Sequence, residues 1–190
     1  VSPFSPLIEA LAPIIHGPRA EQLEVLLTDE VRNALAPINP AWKKPTLFDD
    51  SPEHAVNRFY AALYQLGETL ARLTQLVLTL DDLHWAAPAL WKSLEVFAQG
   101  LASGGGLLIV TYRRPGIEHS PGWDVIQAWD RAGLLKTITL MPLSVEDVAQ
   151  IIAREQPTDP AAIHALTAGN PFYIQEWLAA REMKHVDPFT

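Results

Sequence analysis

The chain has 190 residues, a length that fits one domain with a buried core. Hydrophobic residues make up 48% and charged residues 19% of it, as in ordinary globular proteins, and the formal net charge of -8 argues against nonspecific nucleic-acid binding, which needs a basic surface. Cysteine is absent, which excludes disulfides and thiolate metal sites and suits a cytoplasmic protein. We expect neither a secretory signal nor a membrane span, because the start lacks a basic region and the apolar runs are short.

Residues 1–71 are predicted to be helical. Up to residue 50, apolar positions recur at helical spacing but prolines interrupt them, which indicates two short helices and an irregular connector. A stronger helix is predicted to begin at Pro52, because Ser51 can cap it and Glu53 lies favourably in its first turn. Its apolar stripe ends near Ala71.

Three short apolar segments predict strands, at 76–80, 107–111 and 135–140. The hydrophobicity of the first two is continuous rather than alternating, which favours strands covered on both faces, as in a parallel sheet. Helical segments separate the three strands, and strands alternating with helices predict an α/β fold.

The rest of the chain is predicted to be helical. Ser144 and Asp147 resemble a capping box that opens a helix, and Gly169 closes a second one before Asn170 and Pro171 open the last. We therefore divide the chain into 1–141, an α/β core, and 142–190, a small helical region.

Two adjacent carboxylates, Asp81 and Asp82, follow the first predicted strand. In parallel sheets ligands gather beyond the carboxyl ends of the strands, where a carboxylate can hold Mg²⁺ bridging two phosphates and a second acid can orient or deprotonate water. The alternative is that both are turn residues, with Asp82 capping the following helix. The pair alone does not separate the two interpretations.

The flanking residues add a resemblance. The segment LTLDDLHWAAPAL, residues 78–90, resembles the extended Walker B motif of the STAND ATPases, the signal-transduction branch of AAA-like P-loop NTPases found in large bacterial regulators, including those of the LuxR type, and beside cyclase domains. Ala87 stands where that family commonly has Asp, which removes a helix cap. The resemblance implies that Asp81 holds Mg²⁺ and that Asp82 is the candidate base. His84 and Trp85, a pair after an acidic turn, could contact substrate, but we interpret them as residues of core or interface packing.

Two later segments agree with this family in order and spacing. LLIVTYRRPG, residues 107–116, is similar to its sensor strand, which implies that Arg113 faces the γ-phosphate of ATP; alone, Arg113 would be interpreted as a surface ion pair. LTAGNPFYIQEW, residues 166–177, resembles a motif of its helical lid, which implies that Gly169 and Pro171 lie near the adenine or ribose. Ordinary helix capping at this corner is expected in either case.

A phosphate-binding GxxxxGK[ST] loop is absent from the sequence. In the family this Walker A loop lies upstream, so Val1 is interpreted as the start of an N-terminally truncated piece. The predicted fold is then a P-loop NTPase-like core that lacks its P-loop strand, followed by the lid. Unpaired sheet edges would invite self-association.

The predicted function is an ATP-binding and hydrolysing switch of a bacterial signalling or transcriptional regulator, with ATP or ADP and Mg²⁺ as cofactors in the full-length protein. The piece itself is expected to bind ATP weakly. The alternative is a noncatalytic protein-interaction scaffold derived from the ATPase. Direct binding of nucleic acid by this domain is not expected.

Overall fold

The computed structural model describes residues 2–45, 51–153 and 159–185, with side chains up to 181. These residues form mainly α-helices, joined by two short strands and by 3-10 turns at Pro40–Trp42 and Leu83–Trp85. The helices are α1 Ser5–Ile15, α2 Ala20–Leu26, α3 Asp29–Ala34, α4 Pro52–Thr74, α5 Pro88–Ser103, α6 Arg114–Ile117, α7 Pro121–Arg131, α8 Val145–Ile151, α9 Pro160–Thr167 and α10 Pro171–His185. The strands are β1 Val77–Leu80 and β2 Leu107–Val110. The chain divides into two compact units, Val1–Lys136 and Thr137–Thr190, which are described separately.

Helix α4 is the longest element of the first unit, and its start follows the capping pattern. The hydroxyl of Ser51 accepts a hydrogen bond from the amide of His54 at 3.4 Å. The helix ends at Gln75, which adopts a left-handed conformation with φ 49°. This end turns the chain directly into β1.

Helices α4 and α5 pack closely because glycines lie where their backbones cross. A Cβ atom on Gly67 would lie 2.5 Å from the carbonyl oxygen of Phe97, and one on Gly100 would lie 2.8 Å from the carbonyl carbon of Tyr64. Real Cβ atoms do not approach backbone atoms so closely. The two helices carry much of the core of the first unit, including Leu63, Leu66, Leu70, Trp91, Leu94 and Phe97.

Helix α5 returns the chain so that β2 pairs with β1 in parallel. The register places Val77 opposite Leu107 and Leu80 opposite Val110. Leu78 and Leu80 are buried on the side that faces the core. The carboxyl ends of both strands therefore meet at one edge.

The expectation that both faces of the sheet are covered is wrong. On the outer face Val77, Leu107 and Ile109 are exposed by 56%, 53% and 43%. In this unit, strands with a continuous apolar sequence form a sheet that is buried on one face only.

The predicted α/β fold, a P-loop NTPase-like parallel-sheet core lacking its P-loop strand, is also wrong. Within the described residues the sheet has two strands, and the structure is mostly helical. The segment 135–140 forms no strand, because it finds no hydrogen-bonded strand partner there, and Ile138 and Leu140 are exposed by 75% and 89%. A β-prone sequence becomes a strand only where a neighbour supplies the ladder.

The second unit has a small core formed by Val148, Ile152, Ile163 and Ile174. The predicted capping box is present: the Ser144 hydroxyl accepts from the Asp147 amide at 3.1 Å, and the Asp147 carboxylate accepts from the Ser144 amide at 3.0 Å. The hydrogen bonds from the backbone and the hydroxyl of Ser144 hold the pKa of Asp147 below its usual value.

Across the described ranges, no helix combines the length and the apolar character needed to cross a membrane.

Candidate functional site

The candidate site lies at the carboxyl end of the two-stranded sheet. Leu80 and Val110 are paired, so Asp81 and Thr111 come next on neighbouring strands. The Thr111 amide donates to the Leu80 carbonyl at 3.0 Å, which extends the ladder, and the Thr111 hydroxyl donates to Oδ1 of Asp81. The side chain of Asp81 is therefore oriented by the neighbouring strand.

Asp82 occupies the turn that follows. Its amide donates to Oγ1 of Thr111 at 3.0 Å, and the next amide, of Leu83, donates to the Thr111 carbonyl at 2.9 Å. Its backbone is left-handed, with φ 53° and ψ 38°, a conformation that Asp tolerates better than most residues. These two hydrogen bonds to Thr111 hold the turn in this form.

The capping alternative for Asp82 is not what the structure shows. Asp82 precedes the 3-10 turn Leu83–Trp85, but its side chain makes no capping hydrogen bond there, and 59% of the side chain is exposed. The turn is thus held by backbone groups and by Thr111. The carboxylate is left available to a ligand.

Thr111 is the residue that sequence reasoning missed. It belongs to the TYR segment, in which the family resemblance indicates Arg113 and not Thr111. The available signal was a hydroxyl-bearing, β-branched residue directly after a strand, in register with the first Asp. A hydroxyl can donate and accept at once, so Thr111 serves Asp81 and Asp82 together.

Arg113 lies two residues beyond Thr111, just before α6. Its carbonyl accepts from the amides of Gly116 and Ile117, so its backbone is fixed by the first turn of α6. Its side chain is exposed and has no hydrogen bond or ion pair with the described residues. The neighbouring Arg114 differs, since its guanidinium binds Glu118 at 3.0 Å.

His84 and Trp85 have opposite environments. The side chain of His84 is 6% exposed and lies against α6, where a Cβ atom on Gly116 would be 3.1 Å from its Cδ2. Trp85 is 82% exposed, with its ring centroid 5.0 Å from that of His84. Core packing therefore describes His84 but not Trp85, for which packing at an interface stays a prediction.

Gly169 and Pro171 belong to the second unit. Gly169 has φ 69°, its carbonyl accepts from the Leu143 amide at 2.9 Å, and a Cβ atom would lie 3.1 Å from that nitrogen. Pro171 begins α10, and Oδ1 of Asn170 accepts from the Phe172 amide at 3.0 Å. Helix capping explains this corner, and a nucleotide role for it stays a prediction.

The residues at the sheet end can supply some, but not all, of the oxygen ligands of a hard cation such as Mg²⁺. Asp81, Asp82 and Thr111 supply oxygen atoms, which Mg²⁺ prefers, and Mg²⁺ commonly takes one or two carboxylates and completes its shell with water and phosphate oxygens. No group of three or more acidic or histidine side chains that could hold a metal occurs in the described part of the chain. Any cation here would depend on its ligand for further oxygens.

The perturbed carboxylate of the first unit lies elsewhere. Asp29, at the start of α3, accepts from Nζ of Lys44 at 2.6 Å and also binds Arg32; these bonds hold the pKa of Asp29 below its usual value. The Asp29 side chain is mostly exposed, so we interpret this group as a surface ion-pair cluster.

Comparisons of the chain with protein-family models, with curated proteins and with solved structures found no match.

Proposed function

We propose that the sheet end formed by Asp81, Asp82 and Thr111 binds Mg²⁺ together with the phosphates of ATP or ADP. In this proposal the chain is part of an ATP-dependent switch in a cytoplasmic bacterial signalling or transcriptional regulator of the STAND type, which its motifs resemble. The observation that carries the proposal is the hydrogen bond from the Thr111 hydroxyl to Asp81, which orients a carboxylate at the point where two parallel strands end.

Each residue has a separate task. Asp81 offers one fixed carboxylate oxygen to the cation. Asp82, with its exposed carboxylate, orients or deprotonates a water molecule. The exposed guanidinium of Arg113 follows the second strand at the same end of the sheet, and its parallel donors suit a terminal phosphate. When bound, Mg²⁺ neutralises phosphate charge.

Binding by the 190 residues alone should be weak. The sequence contains no GxxxxGK[ST] loop, whose backbone amides and lysine cradle the phosphates in P-loop proteins. Two carboxylates and one arginine provide far fewer contacts. We expect a dissociation constant for Mg-ATP on the order of 1 mM, about −4 kcal/mol.

The Asp81→Asn substitution should remove the Mg²⁺-dependent part of this binding. The amide keeps the shape of the side chain and accepts from Thr111, but it lacks the charge that attracts the cation. Calorimetric titration with ATP, with and without Mg²⁺, measures the difference. Asp130→Asn, at an exposed acid in α7, makes the same change of charge and should leave the binding unaltered.

Two results would contradict the proposal. Equal Mg²⁺-dependent binding by the wild type and by Asp81→Asn would remove Asp81 from the site. Micromolar ATP binding by the wild type would show a phosphate cradle elsewhere in the chain, contrary to the weak site proposed.

A second candidate function, a protein-interaction scaffold, is favoured by the outer face of the sheet. Val77, Leu107 and Ile109 form one apolar surface there, and each strand has only the other as a strand partner within the described residues. Apolar surface beside open strand edges favours association with a second copy.

Sedimentation over a range of concentrations tests this candidate. The chain should associate as its concentration rises, and Ile109→Lys should weaken the association because burying a lysine in the apolar face is unfavourable. Leu26→Lys, at an exposed leucine on α2, is the matched control. A wild-type chain that stays monomeric throughout, or two variants that behave alike, would rule the scaffold out in this form.

A further inference from the structure

His84 has a buried polar atom, Nδ1, that has no role in the proposed Mg²⁺ and phosphate site. The imidazole is 94% buried between the 3-10 turn Leu83–Trp85 and the backbone of α6 at Gly116. Its Nδ1 atom has no hydrogen-bond partner among the described residues. A buried polar atom left without a partner costs about 1–3 kcal/mol, so such an atom calls for an explanation.

The nearby acceptor is the carboxylate of Asp82. Oδ1 of Asp82 lies 3.7 Å from Nδ1 of His84, beyond the usual hydrogen-bond range but within reach of a small side-chain rotation. The two partners differ in freedom, since His84 is enclosed while 59% of the Asp82 side chain is exposed. Asp82 is therefore the group that moves.

We propose that His84 is a positioning residue for Asp82, donating its Nδ1–H to the carboxylate and selecting one orientation of that side chain. The backbone at Asp82 is already fixed by hydrogen bonds that the Asp82 and Leu83 amides donate to Thr111, so only the side-chain torsions remain to be set. An ionised carboxylate only accepts, so the hydrogen must be on Nδ1 of the imidazole.

For the proposed function, this means that the two adjacent carboxylates are oriented by different residues for different roles. Thr111 orients Asp81 toward the cation, and His84 orients Asp82 toward water, leaving the second oxygen of Asp82 free to accept a proton. This part of the inference rests on the proposed function; the hydrogen bond itself does not.

The other buried orphan, Nε1 of Trp91, leads to no such inference. A Cβ atom on Gly122 would lie 2.6 Å from it, so the backbone of α7 covers it. His84 differs because a flexible carboxylate lies next to its orphan atom.

The tautomer of His84 tests the proposal directly. Long-range proton–nitrogen NMR correlations of the whole chain, recorded where the ring is neutral, report which nitrogen carries the hydrogen, and His84→Gln identifies the signal among the six histidines. We expect the Nδ1–H tautomer in the wild type. Asp82→Gly should shift the ring toward Nε2–H, and glycine suits the left-handed backbone at this position.

Asp82→Asn is the conservative control, because its amide oxygen still accepts and asparagine also tolerates the left-handed conformation. It should retain the Nδ1–H tautomer. A wild-type ring with the hydrogen on Nε2, or an Nδ1–H tautomer that persists in Asp82→Gly, would overturn the proposal.

A second measurement tests the same hydrogen bond through the carboxyl-carbon resonance of Asp82. His84→Asn keeps a donor near the position of Nδ1, whereas His84→Gln places its donor near that of Nε2. The carboxyl-carbon resonance of Asp82 should therefore stay near its wild-type shift in the Asn variant and move in the Gln variant. Identical shifts in both variants would contradict the inference.

These outcomes are independent of nucleotide binding. If the tautomer of His84 depends on Asp82 but the chain shows no Mg²⁺-dependent ATP binding, the His84–Asp82 hydrogen bond is supported and the proposed function is rejected. If ATP binding depends on Asp81 but the tautomer does not change in Asp82→Gly, the proposed function is supported and the hydrogen bond is rejected.

Discussion

Gly100→Ala is expected to destabilise the first unit by about 3 kcal/mol or more, at the upper end of what overpacking costs. The new Cβ atom would lie 2.8 Å from the carbonyl carbon and 3.0 Å from the Cα atom of Tyr64, and it would lie even closer to the carbonyl oxygen. These are backbone atoms of α4 and cannot rotate away. Helices α4 and α5 would have to separate. Urea denaturation followed by circular dichroism measures the loss.

The control is Gln99→Ala, one residue earlier on the exposed side of α5. It introduces the same residue into the same helix and should change the free energy of unfolding by no more than about 0.5 kcal/mol. An unchanged urea midpoint for Gly100→Ala would show that the two helices do not cross as closely as described.

Trp91→Ala is expected to cost about 3–5 kcal/mol, the range for truncating a buried aromatic residue to alanine. Trp91 is the largest fully buried side chain of the described core, 1% exposed, and it fills the space between α5 and α7. The cavity left by alanine would be lined by elements that cannot all close on it.

Trp91→Phe should cost less than Trp91→Ala, about 1–3 kcal/mol, because it removes fewer buried atoms and leaves a smaller cavity. Part of the lost packing energy is offset, because the exchange also removes the buried Nε1–H group, which has no hydrogen-bond partner among the described residues. Thermal unfolding of the three chains ranks them. A Phe variant as unstable as the Ala variant would mean that Nε1 has a partner that matters.

Both substitutions also bear on the candidate site, because α5 is the crossover between β1 and β2. Parallel strands need such a connection, and the packing of α5 fixes where β2 returns. The position of Thr111 beside Asp81 therefore depends on contacts made far from either residue. Variants that loosen α5 should weaken the site without touching it.

The local features of the fold were accessible from sequence because they depend on neighbours in the chain. Ser51 before Pro52, and Ser144 three residues before Asp147, specify helix starts through hydrogen bonds within one turn. The short apolar segments before Asp81 and Thr111 likewise mark the two strands that form.

The fold class was not accessible, because it depends on partners that a segment does not encode. The segment 135–140 has β-branched and apolar residues like those of β2, yet it has no strand partner within the described residues. The outer positions of the sheet, such as Ile109, are as apolar as the buried ones. Hydrophobic pattern alone cannot distinguish a covered face from an open one.

The candidate site divides in the same way. Asp81 and Asp82 stand out in sequence as paired charges after a strand, whereas Thr111 matters only through the register that brings it opposite Asp81. The inference that His84 positions Asp82 depends on the burial of the His84 side chain, which the sequence composition does not reveal.

Paramagnetic Mn²⁺ in place of Mg²⁺ tests the central claim most directly, since it broadens NMR signals of nuclei near the cation. With ATP present, the amide signals of Asp82, Leu83 and Thr111 should broaden first in the wild-type chain and should stay sharp in Asp81→Asn. Broadening centred elsewhere, or at these amides in both chains alike, would contradict the assignment of the sheet end as a metal–phosphate site.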